Sequence, residues 1–271
     1  MNKKYLIALD LDGTLLKDDK TISSATKDYL KELENQGHLV VLTSGRALRS
    51  VLFYYKDIGL KSSPVIAYNG HYALDPIHNS FKIIKKINKN TAKSIYSELI
   101  DKYIDSAMSE NESTIYVDKN DHFLFAFYEK NQLQVINGPL NETIKDDVLT
   151  FVMKMNGTAN CKQNIINVVS KYNDVQVRFW SEEHESQYCE LYLKGISKAK
   201  TILEVANKYG IDLNNIITFG DADNDIEMLS DFSHSYLMKN GNPWLNKYAK
   251  KITRYSNEED GVIFELKEFF K

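Results

Sequence analysis

Two spacings of apolar residues alternate along this chain. Short apolar runs occur at residues 5–9, 39–42, 64–68, 215–219 and 234–238. Runs of four or five large apolar residues, closed by Gly, Asp, Asn or Ser, predict buried strands. Helical spacing fills the gaps between them. Ala25, Tyr29, Leu30 and Leu33 share one face of a helix that Ser23 or Ser24 can cap and Gly37 can stop. Leu48, Val51, Leu52 and Tyr55 mark a second helix, to about Asp57. Ser197 opens a third, with Gly210 as its stop, and Asp260-Gly261 leads into a closing amphipathic helix. Strand and helix in alternation predict an α/β fold, a parallel sheet with helices on both faces.

The middle of the chain reads differently. Strand candidates at 82–87, 113–117, 123–128 and 175–180 come close together, with helix candidates at 91–103 and 160–172 among them. Phe123, Phe125 and Phe127 alternate as one buried sheet face would. This is the pattern of an α+β unit. The expected organisation is a core of residues 1–80 and 191–271, with residues 81–190 inserted as a second domain.

Composition narrows the classes of partner. The net charge is −3, which gives no bulk attraction to nucleic acid or to an anionic membrane. No apolar run approaches the roughly 20 residues that span a bilayer. The apolar run at 5–9 is too short for a secretory leader, and Asp10 and Asp12 interrupt it. Cys161 and Cys189 lack metal or CxxC spacing and read as reduced thiols. A cytoplasmic protein is the expectation.

Chemistry gathers at the predicted strand ends, where ligands of such sheets bind. The first strand ends in Asp10 and Asp12, which strand alternation would point the same way. Two acids side by side repel, and a bound cation is the usual relief. Asp221 and Asp225 follow the strand at 215–219. Carboxylates without His or Cys nearby suit a hard ion such as Mg²⁺. Ser44-Gly45 opens a helix and offers a hydroxyl and free N–H groups to a phosphate oxygen. Lys198 stands in a first helical turn, where it opposes the helix dipole, which argues for a role beyond packing. Acids, cation, hydroxyl and metal together are the parts for phosphoryl transfer.

Four stretches carry a family resemblance. Asp10-Leu-Asp12-Gly-Thr14, Thr43-Ser44-Gly45-Arg46, Lys194-Gly-Ile-Ser-Lys198 and Gly220-Asp221-Ala-Asp-Asn224-Asp225 resemble, in order, the four motifs of the haloacid dehalogenase (HAD) superfamily of phosphatases. Asn69-Gly70 and the stretch from Asn257 to Val262 resemble its Cof-type branch, which has a large α/β cap between the second and third motifs. The resemblance implies a Rossmann-like core, an inserted cap, and a small-molecule phosphate ester as substrate. It implies Asp10 as nucleophile and Asp12 as acid and base. It implies Mg²⁺ held by Asp10, the Asp12 carbonyl and Asp221, and a phosphoryl group held by Leu11, Ser44, Gly45, Lys198 and Asn224. Asp225 would orient Lys198. Ala199, His71 and Asn240-Gly-Asn-Pro243 depart from the usual pattern without removing a catalytic group.

Asn69, His71 and Arg178 are candidate substrate contacts. Two other readings share the parts. A phosphomutase would use the same aspartyl chemistry and return the phosphoryl group to a sugar. A non-catalytic module would only bind a cation and an anion, and it would have no need of Asp12.

Overall fold

In the computed structural model, which describes residues 3–119, 133–180 and 188–271, strand β1 (Leu6–Asp10) is fully buried at the centre of a sheet. The strands in chain order are β2 (Leu39–Thr43), β3 (Val65–Ala67), β4 (Tyr72–Leu74), β5 (Lys82–Ile84), β6 (Ile104–Glu110), β7 (Thr114–Val117), β8 (Gln134–Asn137), β9 (Thr150–Met155), β10 (Val175–Phe179), β11 (Tyr188–Leu193), β12 (Ile216–Gly220), β13 (His234–Leu237) and β14 (Lys251–Ile252). The chain divides into two compact units, residues 1–84 with 196–271, and residues 85–195.

The first unit holds a sheet of order β14-β13-β12-β1-β2-β3-β4-β5. The strands from β14 to β3 run parallel, and β4 and β5 add an antiparallel edge. This is the α/β, Rossmann-like core. Residues 82–84, which periodicity groups with the insert, pair with β4 in this sheet. On one face, Leu6 and Ala8 pack with Ala199, Ile202, Val205 and Ala206 of helix Lys198–Lys208. Alternation along β1 turns Asp10 to that same face. Each Leu, Ile or Val among them contributes roughly 1.5–3 kcal/mol by leaving water, and each Ala roughly 0.8 kcal/mol. The burial that holds this helix on the sheet therefore also fixes its first residue near the tip of β1.

Local signals set the helix ends. Ser23 caps helix Ser24–Asn35 by accepting from the Thr26 N–H, and Ser197 caps helix Lys198–Lys208 through the Lys200 N–H. Buried polar groups tie the first helix to the sheet. Glu34 accepts from the N–H groups of Lys61 and Ser62 and from the Ser63 hydroxyl. Ser63 in turn accepts from the Val40 N–H of β2.

The second unit is an α+β body. Its sheet has the order β10-β11-β9-β6-β7-β8, antiparallel except for β7 with β8. Ala107, Phe151, Met153 and Leu191 of one sheet face pack on Ala92, Ile95 and Leu99 of helix Lys89–Leu99 and on Ile165 of helix Cys161–Val169. Strands β6, β8 and β9 carry no clear apolar alternation. In β6, Ser109 and Glu110 are buried, and the Ser109 hydroxyl donates to the Thr150 carbonyl. The expected strand at 123–128, with Phe123, Phe125 and Phe127, lies outside the described residues. No helix among the described residues is long and apolar enough to cross a membrane. Cys161 and Cys189 are free and buried.

Glu34→Ala should lower the unfolding free energy by about 1–3 kcal/mol by stranding its buried donors. Urea denaturation with an unchanged m-value is the check, and an unshifted midpoint would refute the role given to this network.

Candidate active site

Three strand tips converge because their strands are neighbours in register. Asp10 pairs with Thr43, so Ser44 lies one residue past the tip of β2. Leu9 pairs with Phe219, so Asp221 lies just past the tip of β12. The buried Lys198 Nζ binds Asp10 Oδ1 at 2.5 Å and Asp225 Oδ1 at 2.7 Å. Lys198 and Asp225 are wholly inaccessible to solvent.

Asp225 spends its other oxygen on the backbone. Its Oδ2 accepts from the N–H groups of Asp221 and Ala222, at 3.0 and 3.2 Å. Asp225 thus orients both the lysine and the loop that carries Asp221. Burial works against the charge on Lys198, but Asp10 and Asp225 outweigh it and raise its pKa. Burial pushes the Asp10 carboxyl well above the usual carboxylate range, Lys198 opposes this, and Asp225 and Asp221 add to it. Asp221 is pushed up to about 7, first by burial and then by the charge of Asp225.

Carboxylate oxygens of Asp10, Asp221 and Asp225 lie within 4.8 Å of one another. Asp225 has both oxygens engaged, by Lys198 and by two backbone N–H groups, whereas Asp10 gives Lys198 one oxygen, so Asp10 and Asp221 are the pair suited to a cation. Their oxygens, buried on Asp10 and half-buried on Asp221 and mutually repelling, fit a small hard divalent ion. The Thr14 hydroxyl donates to Asp221 Oδ1 at 2.8 Å and sets its orientation. Gly13, at φ +69°, brings the loop so close that a Cβ would collide with the Asp221 carboxylate.

Asp12 does not share a face with Asp10, contrary to the strand reading. The strand ends at Asp10, and residues Leu11–Leu15 form a wide turn. The Asp12 carboxylate is 42% exposed and is held in a fork by Arg46, Nε to Oδ2 at 2.6 Å and Nη2 to Oδ1 at 2.7 Å. Lys20 adds a third contact, 2.9 Å to Oδ1. Burial would raise the Asp12 pKa, but Arg46 and then Lys20 prevail and hold it at about 2.

The remaining predicted residues divide. Ser44 is buried, and its Oγ accepts from the Arg46 N–H at 3.1 Å. Leu11 is buried in the turn after β1. Asn224 Nδ2 donates to Asn69 Oδ1 at 3.0 Å, and the Asn69 side chain lies against Gly45. His71 is buried behind that turn, with its N–H on the Tyr68 carbonyl. Arg178 belongs to the second unit, opposite Glu190 in register, with its guanidinium 4.6 Å from the Tyr192 ring centroid. Three supporting residues carried no role in the sequence reading: Thr14, Arg46 and Asn240, whose Nδ2 donates to the Gly13 carbonyl at 2.7 Å. Thr14 and Arg46 stand inside the quoted motifs, so a hydroxyl and a cation beside the acids were the available signal. Asn240 lies 227 residues from its partner and carried none.

The chain belongs to the family of haloacid dehalogenase-like hydrolases, whose model matches residues 7–266. It is 32% identical over 278 residues to the 5-amino-6-(5-phospho-D-ribitylamino)uracil phosphatase YitU of Bacillus subtilis (strain 168), covering 99% of this chain and 98% of that protein. A haloacid dehalogenase-like hydrolase from B. subtilis shares the fold with a TM-score of 0.79 at 24% identity, over 97% of this chain and 99% of that one. The HAD subclass IIB sugar phosphatase BT4131 does so with a TM-score of 0.79 at 22% identity, over 99% of each chain.

Lys198→Met should destabilise the protein by about 3–5 kcal/mol, because it strands two buried carboxylates. Adding Asp225→Asn should restore part of that loss in chemical denaturation, and a neutral single variant would contradict the pairing. The Asp12 clamp has its own pH signature. Its folded pKa lies below the ordinary 3.8, so its stabilisation is complete above about pH 4 and fades as pH falls toward 2. The stability gap between wild type and Arg46→Ala should narrow over that window, and a gap independent of pH would show that the clamp adds nothing.

Proposed function

We propose that this phosphoric monoester hydrolase removes phosphate from a small phosphate ester through a phosphoaspartyl intermediate at Asp10, with Mg²⁺ as cofactor. The observation that carries the reading is the burial of Lys198 between Asp10 and Asp225, with Asp221 across the loop. That arrangement sets an ammonium group against Asp10 in a dry site and orients it by one oxygen, which leaves the other as nucleophile.

In the first step an Asp10 oxygen attacks phosphorus in line, and the ester P–O bond breaks. The leaving oxygen takes a proton from the Asp12 carboxyl. In the second step the Asp12 carboxylate takes a proton from water, whose oxygen attacks phosphorus. The P–O bond to Asp10 breaks, and inorganic phosphate and the Asp10 carboxylate are released. Ser44, the N–H groups of Leu11 and Gly45, Lys198 and Asn224 would hold the phosphoryl oxygens. Mg²⁺, held by Asp10, Asp221 and the Asp12 carbonyl, would offset charge on the phosphoryl group. In this structure Arg46 holds Asp12 as a carboxylate, the form that the second step needs. The first step requires the protonated carboxyl to leave that fork.

The substrate class follows the relatives. YitU is named for a phosphorylated ribitylaminouracil and BT4131 for sugar phosphates. Sugar phosphates and phosphorylated cofactors or their precursors are accordingly the substrates proposed here, with residues 81–190 as the specificity cap. Within the core, Asn69 borders the loop of Ser44 and Gly45 and His71 follows it in the same turn; both are candidate substrate contacts, and Arg178 is the candidate from the second unit.

A panel of such esters with Mg²⁺, read as inorganic phosphate, tests the proposal. Activity should vanish with EDTA and return with Mg²⁺. Asp10→Asn should abolish release, and Asp12→Asn should slow it by about 10²–10⁴-fold. Undiminished release by Asp10→Asn would end this reading, and isomerised sugar phosphate in place of free phosphate would make the protein a mutase.

A further inference from the structure

The turn Tyr68–Gly70 has an unusual backbone. Tyr68, Asn69 and Gly70 all have positive φ, at 50°, 52° and 99°. A bulky residue and an Asn in succession in the left-handed region cost free energy, and such a run persists only where its surroundings hold it. Here two separate elements do so. The N–H groups of Tyr68 and Asn69 donate to the carbonyls of Arg46 and Ser44, both at 3.0 Å, which ties the turn to the loop after β2. The Gly70 carbonyl accepts from the Thr201 hydroxyl at 2.8 Å. A Cβ on Gly70 would come within 2.5 Å of the Ser197 carbonyl, so the turn is wedged against the start of the helix that carries Lys198.

The Asn69 side chain completes the arrangement. Its amide nitrogen and oxygen both lie 3.1 Å from where a Gly45 Cβ would stand, so it fills the space beside the phosphate loop. Its Oδ1 accepts from Asn224 Nδ2 at 3.0 Å. A carboxamide has two N–H donors on its nitrogen and acceptors only on its oxygen. Engaging one donor fixes which way the Asn224 amide faces and leaves the second N–H for an anion.

We propose that Asn69 is a positioning residue: its side-chain carbonyl sets the orientation of Asn224 while its side chain packs on Gly45, so that the two phosphate-contacting loops are held in one geometry. This rests on the phosphatase reading above, and it moves Asn69 from a substrate contact to a residue that acts through another. The consequence is energetic coupling between positions 69 and 224, which are 155 residues apart.

The test is a double-mutant cycle in Asn69→Gly, Asn224→Ala and the double variant. Glycine at 69 keeps the left-handed backbone free of strain and removes only the side chain. The readouts are the affinity for inorganic phosphate with Mg²⁺ by calorimetry, the same phosphate as a competitive inhibitor, and the thermal midpoint. Each single variant should weaken phosphate binding by about tenfold, the scale of one hydrogen bond to a charged group. The double variant should also lose about tenfold and not a hundredfold. Losses that multiply in the double variant would overturn the assignment, as would a lowered thermal midpoint in Asn69→Gly with phosphate affinity unchanged. Failure of the wild-type protein to bind phosphate would remove the phosphatase reading and this assignment together. Binding by the wild type with independent losses would remove this assignment alone.

Discussion

A single buried ammonium group holds the site together. Lys198 has no contact with solvent, yet it carries a charge, which Asp10 and Asp225 compensate by direct contact. In a low-dielectric interior, neither acid could remain ionised without the lysine, nor the lysine without the acids. The three residues come from a strand tip, a helix start and a loop after a second strand. Their mutual dependence makes the convergence of those elements a condition of folding. The ion pair is therefore a structural constraint first, and it fixes the Asp10 carboxyl group at the tip of β1.

The two acids of the first motif divide the chemistry by their surroundings. Asp10 is buried among like charges and depends on Lys198. Asp12 is half exposed and gripped by Arg46 and Lys20. Backbone geometry accounts for the difference: the strand ends at Asp10, and Gly13 turns the chain at a positive φ. One carboxylate is directed into the sheet's helix-covered side and the other toward the loop after β2. Surroundings that differ in this way give the two acids different proton affinities.

The loops around these acids are held by packing with little slack. Thr14 orients Asp221, and Asn240 grips the Gly13 carbonyl. The Asp225 carboxylate caps the N–H groups of the Asp221 loop. Asn69 sits between the two loops proposed to meet phosphate. Apart from the local cap made by Asp225, these contacts join segments far apart in the chain, so the geometry is largely a property of the folded core.

The central strands and their flanking helices were legible because local rules suffice for them. Runs such as Leu-Ile-Ala-Leu are too apolar to be anything but buried, and Ser23, Ser197 and Gly37 punctuate helices by short-range hydrogen bonding and backbone freedom. The order of the acids, serine and lysine was also plain, since the acids and Ser44 follow such runs and Lys198 follows a helix-capping serine. Strand β6 was hidden because Ser109 and Glu110 are buried by long-range partners, which no periodicity records. The residues at 82–84 looked like part of the insert, and only pairing with β4 assigned them to the core sheet. The amino-acid order alone thus determined which groups reach the strand tips. Tertiary structure alone decided that Asp12 turns away to Arg46, that Asp225 belongs to Lys198 before any cation, and that Asn69 faces Asn224. Orientation of a side chain depends on partners brought close by folding, and those distances are not written in local sequence.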